Sequence, residues 1–553
     1  MGLVTLPERG LSIWRNAIRR DGRRIDRTST IWDSKVTTEE LPRAGRREWI
    51  GLAVLALPTL LMALDVSVLY LALPHLSEDL GASSIQQLWI MDIYEFMLAG
   101  FLVTMGTLGD RIGRRKLLLF GAAAFSVASV IAAYSRTPEM LIAARAVLGV
   151  AGATLMPSTL ALISNMFKQP RQRGIAIAVW MNCFMVGMVT GPLVGGALLE
   201  KFWWGSVFLL GIPVMVLLLI VGPILLPEYR DPNAGKLDFA SVGLYLLAVL
   251  PIIYGIKVLA KDGWRILPLL TILVGGLFAL RFVRRQRELE NPLLDLRLFG
   301  NRSFSATLVI LLVIAVIMGG IGLLVPQYLQ LVAGLSPLRS GFWMVPQMLG
   351  MVVGSTVATA IAPRIRPAYT ITLGLVIAAV GMAVITQAPS VGGVLMLTVG
   401  FVAATIGISP AVVLGTDLVV GSAPVEKAGS AASTSETANH LGIALGVSVL
   451  GSVSAAIYHH QIAVPAELPV SSVETARESI AGAVTVAQHL SGGLDAQVLG
   501  TARDAFTLGL HVASAIGALG FLALAVVTIT LLRHVEPAGA RTGNQGNSVP
   551  VAA

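Results

Sequence analysis

The sequence is poor in charge and nearly devoid of cysteine. Only 13% of its 553 residues are Asp, Glu, Lys or Arg, where a soluble globular chain carries about 25%. A soluble chain of this length folds as several domains, each needing a polar exterior. Too few polar residues are present to coat one. The single cysteine, Cys183, excludes an intramolecular disulfide and any disulfide-built scaffold. Also missing are the Gly-x-x-x-x-Gly-Lys-Ser/Thr phosphate loop, the His-Glu-x-x-His zinc motif and the Gly-x-Ser-x-Gly elbow. The chain is therefore not expected to be an enzyme or to use ATP, a metal or another cofactor.

What the sequence has instead is long apolar runs, with 55% hydrophobic residues. A membrane-spanning helix needs about 20 mostly apolar residues. Spans are expected at 49–74, 86–109, 116–134, 138–163, 174–198, 204–226, 238–257, 265–283, 304–332, 339–361, 367–387, 391–420, 428–457 and 506–532. That is an all-α integral membrane protein whose even number of spans puts both termini on one side. Most of the 40 lysines and arginines fall in the tails and loops of that side. The positive-inside rule makes it cytoplasmic. The net charge of +9 is then topogenic, and no nucleic-acid partner is expected. The stretch 1–48, with Arg15, Arg19, Arg20, Arg23, Arg24 and Arg27, lacks the apolar core of a signal peptide and reads as a cytoplasmic basic tail. Residues 533–553 read as a second cytoplasmic tail. The polar segment 458–505 reads as an outer loop or hairpin, and His459 and His460 as loop histidines without a metal.

Several motifs are more specific than hydropathy. Between the second and third spans runs Gly106-Thr-Leu-Gly-Asp110-Arg111-Ile-Gly113-Arg114-Arg115-Lys116, one acid amid bases on a glycine-patterned turn. The fourth span holds Arg145-Ala-Val-Leu-Gly149-Val-Ala-Gly152. The fifth holds Gly187-Met-Val-Thr-Gly191-Pro192-Leu-Val-Gly195-Gly196, and the first Leu64-Asp65-Val-Ser-Val-Leu-Tyr-Leu-Ala-Leu-Pro74. With the segments Ala423–Gly429 and Ser435–Gly442, these resemble, in order, the signatures of the major facilitator superfamily. More narrowly, they resemble its fourteen-span drug:proton antiporters, the QacA-type multidrug efflux pumps.

The resemblance implies two six-helix bundles, 49–226 and 304–532, around a midplane cavity. It places an inserted helix pair and linker at 227–303. It also implies transport by rocking of the halves, a conformational role for the two glycine motifs, and a proton-relay role for Arg145. Within the chain the repeat shows only faintly: Gly442, Gly446 and Gly451 in span thirteen echo the small residues of span five.

Charged residues inside a bilayer are costly and face a cavity or a partner. Five lie well inside spans: Asp65, Asp92, Glu95, Arg145 and Glu436. Asp92 and Glu95, three residues apart, share a helix face. If the first two spans are neighbours, Asp65, Asp92 and Glu95 form one acidic cluster that loads and releases protons, with Arg145 at comparable depth. The plain alternative is that an acid merely pairs with Arg145. Glu436, Asn439 and His440 form a polar stripe expected to line the cavity, with Trp180 and Met188 as adaptable contacts. The expected function is proton-driven export of lipophilic, mainly cationic drugs, dyes or antiseptics across the bacterial cytoplasmic membrane, by a functional monomer. The alternative is a narrow exporter of a self-made antibiotic or of another neutral or anionic molecule.

Overall fold

The computed structural model describes residues 43–230, 237–289, 292–423, 428–465, 467–491 and 493–537. Most of the basic N-terminal tail, the C-terminal tail from 538 and the connection 424–427 lie outside the described residues. Among the described residues, fourteen helices are long and apolar enough to cross a membrane. We label them α1 (Arg46–Leu80), α2 (Ser84–Ile112), α3 (Arg114–Ala133), α4 (Pro138–Met166), α5 (Pro170–Lys201) and α6 (Ser206–Leu225). There follow α7 (Phe239–Asp262), α8 (Ile266–Glu288), α9 (Arg302–Gln327), α10 (Pro337–Ile361), α11 (Pro367–Ile385), α12 (Val394–Gly421) and α13 (Ala428–Gln461). Short helices α14 (Val470–Glu478) and α15 (Ile480–Gln488) precede the last span, α16 (Leu494–Leu532). No strand occurs among the described residues.

Helix ends follow local chemistry. Ser83, Thr137 and Ser336 accept from backbone amides at the starts of α2, α4 and α10. Gly81 takes the left-handed conformation after α1, at φ 60°. Several spans run a few residues beyond the expected ends, and two differences have larger consequences. The last begins at Leu494 rather than near 506, so much of 458–505 is helical. Helix α7 runs past residue 257 to Asp262, because Val258, Leu259 and Ala260 continue its apolar run. This second difference moves a lysine into the protein interior.

Packing divides the apolar core in two. One large cluster is drawn mainly from α1 to α6, the other mainly from α9 to α16, with Leu71, Leu323 and Val447 crossing between them. The glycine motif of α5 lies against α1: an added Cβ would meet Leu60 O at 2.4 Å from Gly187 and Ser67 Oγ at 1.8 Å from Gly191. In the second half α13 lies against α9 in the same way, with Gly446 so close to Val316 O that a Cβ would stand 2.0 Å from it. The faint glycine echo in the sequence is thus a matched helix contact. Outside both cores sits the α7–α8 pair. Gly255 and Gly275 close the contact between them, and α8 turns Ile266, Leu270, Leu273 and Leu277 outward. Only α7 reaches inward, where Ile253 packs with Phe96 of α2 and Ala444 of α13.

With an even number of spans, both described chain ends lie on one face, the terminal face; the opposite face is called distal. The halves meet toward the distal face. There Gly341 of α10 sits against Pro192 O of α5, and the Gln330 amide donates to Leu71 O at 3.0 Å. Toward the terminal face α5 carries the exposed Ile175, Val179, Met181 and Asn182, and α13 the exposed Glu436 and Asn439.

Candidate functional site

The buried intramembrane charges gather around α2. Arg145 on α4 reaches it because Gly149, one turn later, lets α4 close on the α2 backbone; a Cβ there would meet Tyr94 O at 2.4 Å. The guanidinium lies over the Tyr94 ring, 4.4 Å from its centroid, donates to Ile90 O at 3.3 Å, and pairs with Asp65 Oδ2 of α1 at 2.9 Å. Arg145 and Asp65 keep only 2% and 9% of their side-chain exposure. The arginine and aspartate motifs of the sequence are two ends of one ion pair.

Asp92 and Glu95 do not form a bare acidic cluster with Asp65. Each carboxylate has its own basic partner. Asp92 Oδ2 lies 2.6 Å from Lys257 Nζ of α7, and both side chains are fully buried. The Ser448 hydroxyl of α13 donates to the same oxygen. Glu95 Oε2 lies 2.6 Å from His440 Nδ1, also on α13. The plain alternative, an acid paired with Arg145, holds for Asp65, whereas Glu95 pairs with His440 instead. Removing ions from water costs several kcal/mol each, so acids this deep persist only beside such partners.

Sequence reasoning missed Lys257 by ending span seven there. The signal was the apolar Val258–Ala260 stretch beyond it. His440 was noticed only as part of a stripe. The other expected contacts are dispersed: Trp180 and Met188 are half-buried on α5, and Glu436, one turn before His440, is exposed as is Asn439.

The loop motif forms a second cluster on the terminal face. Asp110 ends α2 and accepts from Arg114 Nε at 2.7 Å across the Gly113 turn. Gly113 has φ 115°, and a Cβ there would strike the Glu228 carboxylate at 2.4 Å. Glu228, also missed in the sequence, accepts from the Arg115 amide at 3.1 Å, while the Arg115 side chain donates to Leu226 O at 2.9 Å. Thus the motif fastens α2 and α3 to the end of α6. Arg111 is exposed, and Gly106 has no close neighbour except Pro157.

The profile of the Major Facilitator Superfamily matches residues 55–447. The chain belongs to the major facilitator superfamily. It is 42% identical over 500 residues to the multidrug efflux pump LfrA of Mycolicibacterium smegmatis, covering 90% of this chain and 99% of that one. It is 33% identical over 487 residues to the methyl viologen resistance protein SmvA of Salmonella typhimurium, covering 87% and 97%. A 30% match over 505 residues is to a tetracenomycin C resistance and export protein of Streptomyces glaucescens, covering 89% and 93%. In fold it resembles a bacterial homolog of the human lysosomal transporter Spinster, with a TM-score of 0.60 at 16% identity over 88% of this chain and 98% of that one. This member of the superfamily is an efflux transporter of small molecules and not an enzyme, a multi-pass protein of a bacterial cell membrane.

Proposed function

We propose that the chain is a proton-driven antiporter that exports lipophilic, mainly cationic drugs, dyes or antiseptics. One observation carries the reading: three carboxylates buried around α2 each have an internal basic partner, Asp65 with Arg145, Asp92 with Lys257, and Glu95 with His440. Such a carboxylate is never left bare: it trades its partner for a proton or a substrate cation, and the partner returns when that cation leaves. The substrate class is supported by the relative named for resistance to methyl viologen, a dication.

On this reading the terminal face, with Arg111, Arg114 and Arg115, is cytoplasmic, and so are both tails. The halves touch distally and part toward the cytoplasm, which is an inward-open arrangement. Asp65, Asp92, Glu95 and Arg145 couple protons, while Trp180, Met188, Glu436 and Asn439 line the path of the drug. The bundles 49–226 and 304–532 rock about the α2–α13 seam, and one chain suffices for transport.

A second reading is favoured by the tetracenomycin relative: export of one self-made antibiotic. Purified protein in liposomes with a trapped pH dye separates the two. Proton movement on addition of tetraphenylphosphonium or ethidium supports the antiporter. Silence toward every cation, with export of a neutral antibiotic, supports the second.

A further inference from the structure

Lys257 comes from the inserted helix α7, which belongs to neither six-helix half. It is nevertheless the group on which both halves converge. Its ammonium sits 2.6 Å from Asp92 Oδ2 of α2. It also lies 3.8 Å from the centroid of the Trp89 indole, one turn earlier on the same helix. Ser448 of α13 donates to the same Asp92 oxygen, and Asp92 Oδ1 has no hydrogen-bond partner among the described residues. A carboxylate beside the face of an indole is what a lipophilic cation needs: charge neutralisation at one side and a polarisable surface at the other. Here the protein's own cation fills it. Lys257 also borders a small cleft with Ser84, Leu88, Lys261, Ser452 and His459, so the place it occupies adjoins space beyond the seam.

We propose that Asp92, Trp89 and Ser448 form a cation-binding site that Lys257 occupies as a tethered ammonium, which a transported cation must displace. This rests on the cation-export reading and extends it. The inserted pair then belongs to the transport machinery through one residue of α7, while α8 holds α7 in place and faces lipid. A tethered competitor keeps Asp92 from remaining bare after the drug leaves. Its return to the carboxylate also drives the drug off, which a site with no internal occupant lacks.

The test is to vacate the site and refill it. Lys257→Ala removes Cγ, Cδ, Cε and Nζ, the atoms that n-propylammonium supplies. In the purified full chain, n-propylammonium is expected to raise the unfolding temperature of Lys257→Ala in a saturable way. It is expected to leave the wild type and Lys257→Ala/Asp92→Asn unmoved, and sodium chloride at equal ionic strength to do nothing. Tetraphenylphosphonium-driven proton movement is expected to fall about tenfold or more in Lys257→Ala and to recover with n-propylammonium. Lys257→Arg, which keeps the charge, should retain most of the rate. If Lys257→Ala does not fold, Lys257→Gln serves: it should bind tetraphenylphosphonium more tightly than the wild type, and the gain should vanish when Asp92→Asn is added. A propylammonium effect of equal size in the wild type, no effect in a folded Lys257→Ala, or unchanged affinity in Lys257→Gln overturns the proposal. A wild-type chain that moves no cation refutes cation export, whereas the stability series still reports on the Asp92 site alone.

Discussion

His440 Nδ1 lies 2.6 Å from Glu95 Oε2, and this contact joins α13 of one half to α2 of the other. With Asp92 one turn and Ser448 two turns nearer the distal face, it makes the α2–α13 seam the polar spine of the protein. Helices that rock against each other must break or carry such contacts. The pair is therefore placed to feel both the transported charge and the state of the seam.

Glu95→Gln should weaken export of bis-quaternary compounds more than of matched mono-quaternary ones, because a dication needs a second carboxylate beyond Asp92 or Asp65. His440→Asn should share much of the defect, since it disturbs the same contact. The double variant should be no worse than the poorer single one, because contacting residues are not additive. Transport assays with the matched compounds decide; equal losses for both classes, or additive defects, contradict the shared site.

Asp65→Asn is expected to abolish drug-dependent proton movement while the protein still reaches the membrane. Asp65→Ala, which leaves the Arg145 guanidinium buried without its carboxylate, should also cost about 3–5 kcal/mol of stability. Adding Arg145→Met to Asp65→Ala should restore much of the stability and none of the transport. Thermal unfolding of the three purified variants, beside drug accumulation in cells, checks both parts.

The α5 glycines give a contrast that depends on what each one touches. A Cβ at Gly191 meets the Ser67 hydroxyl, whereas at Gly187 it meets the Leu60 backbone carbonyl. Gly191→Ala should therefore be partly rescued by Ser67→Ala, which removes the obstructing oxygen. Gly187→Ala should have no comparable side-chain rescue, because the obstacle is backbone. Initial export rates at matched expression measure this, and rescue of neither variant would mean that α1 and α5 adjust freely.

On the terminal face, Asp110→Asn should lower turnover severalfold with drug affinity near that of the wild type. The Asp110–Arg114 pair is partly exposed, so its loss should cost no more than about 1 kcal/mol of stability. What it changes is the balance between conformations. Fluorescent-ligand titration in detergent, set beside transport rates, is the check; affinity falling as steeply as turnover would refute this role.

The sequence by itself determined the fourteen spans and the family, because apolar run length and the local motifs are properties of contiguous residues. Asp65, Asp92, Glu95 and Arg145 were legible for the same reason: a charge inside an apolar run stands out without any knowledge of its neighbours. Which charges meet was decided only by the tertiary structure. Asp65 and Arg145 come together because Gly149 lets α4 close on α2, and Glu95 turns to His440 rather than to Arg145. Lys257 was hidden at the apparent end of a span, since hydropathy cannot tell a helix that stops at a lysine from one that carries it inward. Its burial depends on α7 packing against α2 and α13, so that a carboxylate distant in sequence compensates the cost of dehydrating an ammonium.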